Sequence, residues 1–377
     1  MSEASETKQL MKSPLNAIHA ELGATMSEQD GWSLPQSYGD VLLEYAAVRE
    51  AGTGLIDLSS RGRLLVHGSE AVAFLNGLIT NDMKTLLPNT WMPAAFPNVQ
   101  GRLIASIRVL RFPDETTPTF LIDTEAATHE AVLKNIQRFT LAGDFHVRDL
   151  SGEMAQVSVQ GNDSARIISE VLSETAASLP AFGVERLHHD EFGDVTVIRA
   201  SHTGADGFDL IASNNQAANL WQALQARGAR PVGHDALEIL RIEAGIPRYG
   251  IDMDESNVVT ETTLDDAVSY TKGCYVGQEI IARIKYRGHV AKKLSGLICE
   301  QGSSPQSGNT IFSTDGKDIG RVTSVTHSPQ LGQTIALGYL KYDYLTAGTT
   351  VNILSGNDSW PAVLTELPFI KREATNN

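Results

Sequence analysis

The stretch Thr271-Lys272-Gly273-Cys274-Tyr275-Val276-Gly277-Gln278-Glu279 concentrates the side chains best suited to chemistry. It runs straight into Ile280-Ile281-Ala282-Arg283-Ile284, which has helix character. A cysteine just ahead of a helix sees the positive end of the helix dipole, and a neighbouring lysine adds charge. Cys274 and Lys272 are therefore the candidate catalytic pair, with the sulfur favoured as a thiolate and suited to nucleophilic or metal-seeking chemistry. Gly273 and Gly277 would let backbone amides approach an anion or a ligand closely. The same residues also fit a second description, a buried and inert cysteine in a tight turn.

Other constellations carry less. His188-His189-Asp190 has the composition of a metal site, but adjacent strand residues face opposite ways, and no second histidine or cysteine stands at ligand spacing, so no metal is expected. Asp252, Asp254 and Glu255 lack the glycine and terminal glutamate of a calcium loop. Gly52-Thr53-Gly54 follows a helical pattern rather than a strand, which argues against a dinucleotide or phosphate loop. Between Ile280 and Cys299 lie Arg283, Lys285, Arg287, Lys292 and Lys293 with no acidic residue, which reads either as a local anion site or as a solvated basic face.

These residues must be held by a sizeable fold. The 377 residues are 42% hydrophobic and 20% charged, the balance of a globular protein. A formal net charge of −15 argues against nucleic-acid binding, and no apolar run is long enough to cross a bilayer. With two cysteines, Cys274 and Cys299, no disulfide framework is expected, and the chain reads as cytoplasmic with reduced thiols.

Strand–turn–helix units near 63–78 and 157–172 repeat the same grammar, with Ser69 and Asp163 as candidate helix caps. Further strands are expected over Leu103–Leu110, Thr119–Ile122 and Val195–Ile198, and a helix over Ala126–Leu141. From Leu294 onward short β-rich runs separated by turns predict a small barrel. The expected organisation is an α+β core over 13–287, built from two interleaved subdomains, followed by a β-barrel domain over 288–370.

The pattern KGCYxGQE, filled by Lys272 to Glu279, resembles the signature of the YgfZ family, within the superfamily of the glycine-cleavage T-protein (GcvT, an aminomethyltransferase). Supporting stretches are Gly54-Leu55-Ile56-Asp57-Leu58-Ser59, Thr203-Gly204-Ala205-Asp206-Gly207-Phe208-Asp209-Leu210 and Leu240-Arg241-Ile242-Glu243-Ala244-Gly245. The resemblance implies a GcvT/YgfZ-like ring of two ferredoxin-like α/β subdomains with a C-terminal antiparallel β-barrel. It also implies tetrahydrofolate or another reduced folate derivative bound in the centre.

On that footing Asp209 takes the place of the T-protein's pterin-contacting glutamate, one methylene shorter, and Phe120 that of a ligand-contacting tyrosine. Asn98, Gly101 and Arg102 resemble the corresponding YgfZ turn, and Tyr275, Gly277 and Gln278 join them as ligand-side residues. A pterin-side arginine of the superfamily falls on Leu237. The T-protein's paired aspartates fall on Ala105 and Ser106, neither of which can stabilise positive charge on a folate amine. The function implied is a folate-binding accessory protein in iron–sulfur cluster assembly or repair, with iron–sulfur assembly proteins or client enzymes as partners. The alternatives are a folate-dependent aminomethyl- or methyltransferase using another acid, such as Asp252 or Asp254, and a folate-binding module without chemistry.

Overall fold

The structure is a computed structural model and describes residues 9–50, 52–113, 116–138, 143–356 and 358–371. It has three bodies and a small N-terminal sheet in which Met11–Lys12 and Thr25–Gln29 flank Trp32–Ser37.

The first body is a five-stranded sheet in the order Thr90–Pro97, Leu103–Arg111, Thr119–Thr124, Gly62–His67, His146–Asp149. Helices Ala71–Leu78 and His129–Gln137 cover one face. The helix expected over Ala126–Leu141 is thus shorter at its start, where Ala126–Thr128 forms a separate 3-10 turn, and its expected end at 139–141 lies outside the described residues. Strand alternation decides what each residue does: Ala105, Ile107 and Val109 enter the helix-covered core beside Phe120 and Ile122. Leu110 and Leu121 face the other way.

The second body is a six-stranded sheet in the order Val184–His189, Gly193–Arg199, Gly207–Ser213, Met154–Gln160, Gly54–Asp57, Arg230–Pro231. Helices Ser164–Val171 and Asn214–Ala226 bury a core around Trp221. Gly54–Asp57 precedes the first body in the chain yet pairs antiparallel with Met154–Gln160, so the two α/β units are interleaved. Their open faces pack together, with Leu110 and Leu121 against Ile198 and Ile211. The expected caps are engaged elsewhere: the Ser69 hydroxyl donates to Asp144 (2.7 Å), and Asp163 accepts from Arg166 (3.0 Å).

The third body is a closed antiparallel barrel in the order Lys292–Cys299, Gln333–Lys341, Asp318–Ser328, Thr310–Ser313, Thr350–Ser355, Asp358–Thr365. Cys299 is buried inside it, and burial pushes its thiol up to about 11. Helix His234–Glu243 docks on the barrel through Ile242 against Leu294 and Ile335.

A buried polar joint locks that contact. Arg241 donates to Asp252 (2.5 Å) and to Ser324 (2.8 Å), and Asp252 also accepts from Thr323 (2.6 Å) and Ser324 (2.7 Å). Asp252 is therefore a strut between core and barrel. Asp254 caps an exposed turn by accepting from the Ser256 amide (2.7 Å). Both line a cavity of about 740 Å³ against the barrel, separate from the one between the α/β units. Removing one partner of a buried pair leaves the other charge uncompensated, so Asp252→Ala is expected to cost about 3 to 5 kcal/mol in urea unfolding.

Candidate functional site

A cavity of about 160 Å³ opens where the two α/β units meet the start of helix His234–Glu243. Arg61, Glu125, His202, His234, Leu237 and Arg248 are among its walls. Sites for drug-sized ligands run from about 300 Å³ upward. This one suits a compact heterocyclic head group, with any tail lying outside.

Behind the cavity a chain of charges crosses from one sheet to the other. Arg108 sits opposite Asp123 on the neighbouring strand and binds it through Nε (2.7 Å) and a terminal nitrogen. That terminal nitrogen also reaches Asp209 of the second sheet (2.7 Å). Arg61 takes the other oxygen of Asp123 (2.6 Å). Asp209 further accepts from Gln156 (3.2 Å) and lies 2.9 Å from His202 Nε2.

Burial would push both carboxyls up, but their partners reverse that: the contacts with His202 and Arg108 hold Asp209 well below the usual carboxylate range, and Arg108 and Arg61 do the same for Asp123. For Arg108 itself, burial works against the charge, but Asp123 and Asp209 outweigh it and raise its pKa.

This corrects the sequence-based assignment of Asp209. It is fully buried and bonded on all sides, so it has no pair of free lone pairs to offer a pterin. Phe120 is corrected as well: its ring is sealed in the core of the first unit, because its place in the strand gives it the core-facing parity of Ile122. Leu237 does line the cavity. Of the two positions that lost an acid, Ala105 faces the core, while Ser106 shares a face with Arg108.

The signature segment is built differently from its expected role. It forms a strap across the C-terminal end of helix Ala71–Leu78, tied by Thr80 Oγ1 to the Ala267 carbonyl (2.6 Å) and by the Val276 amide to the Gly77 carbonyl (3.0 Å). Lys272 is the buckle. Its buried ammonium donates to the carbonyls of Asn76 (2.7 Å), Ile79 (2.9 Å) and Asn81 (2.6 Å), and burial lowers its pKa to about 8. All three donors are engaged in the scaffold.

Tyr275 is buried among Leu103, Val258 and Ile281, with the Lys272 ammonium 5.0 Å from its ring centre. Gly277 is the N-cap of helix Gln278–Arg287 at φ 77°, and a Cβ there would stand 2.5 Å from the Asn98 carbonyl oxygen. Asn98 in turn organises its own turn, accepting from the amides of Gln100 and Arg102 (both 2.9 Å), and Arg102 donates to the Ser256 carbonyl. Gly101 of that turn approaches Gly277 closely. Gln278 is the first residue of the helix.

The structure thus brings Asn98, Gly101 and Gly277 together, as one packed joint apart from the cavity. Cys274 is exposed and is not among the cavity's walls. In the basic stretch, Lys293 pairs with Asp265 (3.1 Å), and Lys285 and Lys292 lie over the rings of Tyr270 (4.8 Å) and Tyr339 (4.7 Å).

Among the cavity residues that the sequence did not single out are Glu125 and His234. Glu125 accepts from the Tyr249 amide (3.1 Å) and has no ion pair among the described residues. Burial raises its pKa against the pull of Arg61 and Arg248. His234 has a buried Nε2 without a partner, and burial lowers its pKa, favouring the neutral ring. The signal for Glu125 was its spacing from Asp123, which puts both on one strand face. His234 had no local signal.

The sequence matches the GCVT N-terminal domain over residues 15–272 and the glycine cleavage T-protein C-terminal barrel domain over residues 292–371. A relative from Geobacillus kaustophilus named aminomethyltransferase is 30% identical over 368 residues, covering 96% of this chain and 99% of the relative. One of the same name from Shouchella clausii is 30% identical over 374 residues, covering 97% and 99%. The crystal structure of glycine cleavage system aminomethyltransferase T from Bartonella henselae shares the fold, with a TM-score of 0.87 at 23% identity over 96% of this chain and 98% of that one.

The strap predicts a separation of roles. Lys272→Met strands three buried carbonyls and is expected to cost about 2 kcal/mol or more in urea unfolding, while the alkylation rate of Cys274 in the folded protein stays unchanged.

Proposed function

The chain belongs to the glycine cleavage T-protein family, whose N-terminal domain it matches over residues 15–272, and from that footing we propose that it binds tetrahydrofolate or a related reduced folate and serves in transfer of a one-carbon unit. The observation that carries this is the cavity at the junction of the two α/β units, which offers a compact ligand a carboxyl at Glu125 and an unpartnered ring nitrogen at His234. Those groups fit the hydrogen-bonding edges of a pteridine, and Leu58, Leu34 and Leu237 supply apolar wall for its faces. Relatives along the whole chain carry the name aminomethyltransferase, which supports group transfer as the reaction class.

When bound, the folate would supply the amine that accepts the one-carbon unit. The chain's own contribution is to orient the ring, exclude water from its buried edge and hold a proton acceptor nearby. That acceptor is not on strand Leu103–Arg111, where Ala105 and Ser106 stand. Titration with tetrahydrofolate is expected to give saturable one-to-one binding, and supply of an aminomethyl donor is expected to give folate-dependent turnover. Absence of binding at millimolar ligand would contradict the proposal.

A second role is favoured by one observation. Within the YgfZ-like signature, Lys272, Tyr275 and Gly277 hold the scaffold, whereas Cys274 is exposed and packing does not require its sulfur. A thiol displayed in this way suits an accessory function in iron–sulfur protein maturation, with client enzymes or assembly proteins as partners. On that role, Cys274→Ala fails to restore [4Fe–4S] enzyme activity in a deletion strain while it still binds folate. Full restoration would remove the thiol from the function.

A further inference from the structure

We infer that Glu125 is the carboxylate this protein presents to its ligand in place of the sealed Asp209, from the end of strand Thr119–Thr124, one strand over from Ser106. The inference rests on the folate-binding proposal and assigns the residue that reads the ligand's N–H groups.

The strand register carries it. Leu103–Arg111 and Thr119–Thr124 run antiparallel with Arg108 opposite Asp123 and Ile107 opposite Thr124. The pairing ends there, and Glu125 follows as the N-cap of the 3-10 turn Ala126–Thr128. Glu125 is still extended, with φ −68° and ψ 149°, so alternation keeps it on the face of Asp123, and Ser106 shares that face with Arg108. The carboxylate is thus displaced by one strand and kept on the same face.

Its surroundings separate it from every other acid of the cavity. Asp30 pairs with Arg248 (3.0 Å), and Glu238 pairs with Arg241 (2.7 Å) and Arg248 (3.2 Å). Glu125 has one backbone amide on Oε2, which leaves lone pairs on both oxygens. Ionisable groups reach it from each neighbouring element: Arg61 from the turn after Gly54–Asp57, Asp30 from the N-terminal hairpin, and Arg248 from the loop after His234–Glu243. His202, His234, Glu238 and Arg241 also line the wall.

Burial raises the Glu125 pKa in spite of those cations. A ligand that donates two parallel N–H bonds, as the amino-pyrimidinone edge of a pteridine does, fills the open positions and favours the ionised form. Ligand binding and loss of the Glu125 proton are therefore coupled.

The test is tetrahydrofolate binding by calorimetry between about pH 4.5 and about pH 8, in buffers of different ionisation enthalpy, on the full chain. Wild-type affinity is expected to fall as pH drops through the carboxyl's pKa, approaching about 10-fold per pH unit, with proton release on binding. Glu125→Gln is expected to bind about 10- to 100-fold more weakly at neutral pH, without the release and with a flat profile over the acid range.

A Glu125→Gln protein with wild-type affinity and wild-type proton release overturns the assignment and leaves the folate proposal standing. A wild-type protein that binds no tetrahydrofolate at any pH overturns the folate proposal itself.

Discussion

One guanidinium holds the centre of this molecule. Arg108 joins Asp123 beside it in the same sheet to Asp209 across the packed faces of the two α/β units. Taking one cation and two carboxylates out of water costs several kcal/mol per ion, and only close mutual pairing makes the arrangement tolerable. The extra bonds from Arg61, His202 and Gln156 satisfy the remaining oxygens. The lattice fixes how one sheet sits on the other, and in doing so sets the inner limit of the cavity.

From that constraint the chemistry of the site follows. An aspartate inside the lattice has no free lone pairs to offer, so on the proposed function recognition falls to groups that the lattice leaves free. Strand Thr119–Thr124 leads into the change: Leu121 packs on the second sheet, Asp123 joins the lattice, and Glu125, one residue past the strand's end, emerges at the cavity. The signature segment stands apart from this centre. Its lysine, tyrosine and second glycine secure a strap over a helix end, and its thiol faces outward. The cavity and the displayed sulfur are thus separate features of the molecule.

Much of the architecture was legible from the sequence because it rests on local periodicity. The barrel strands Thr310–Ser313, Asp318–Ser328, Gln333–Lys341 and Thr350–Ser355 announce themselves by short apolar runs between turns, as do the two strand–turn–helix units. The insertion of Gly54–Asp57 into the second sheet had no such mark, since pairing across that distance is decided by tertiary packing. Assignment of the site went astray where parity or partners decide. Phe120 and Ile122 share the core face, which a strict count along the strand already implies. Asp209 looked available to a pterin because Arg108, which neutralises it, lies on another sheet. Lys272 looked like a partner for Cys274 because the carbonyls it caps lie far earlier in the chain.

The central claim is that the Arg108 lattice stays closed and the ligand meets Glu125 in front of it. A crystal structure with tetrahydrofolate bound tests this most directly. The account predicts the pteridine edge within hydrogen-bond distance of Glu125, with Arg108 still joined to Asp123 and Asp209. A pteridine bonded to Asp209, with Arg108 swung out of the interface, would contradict it.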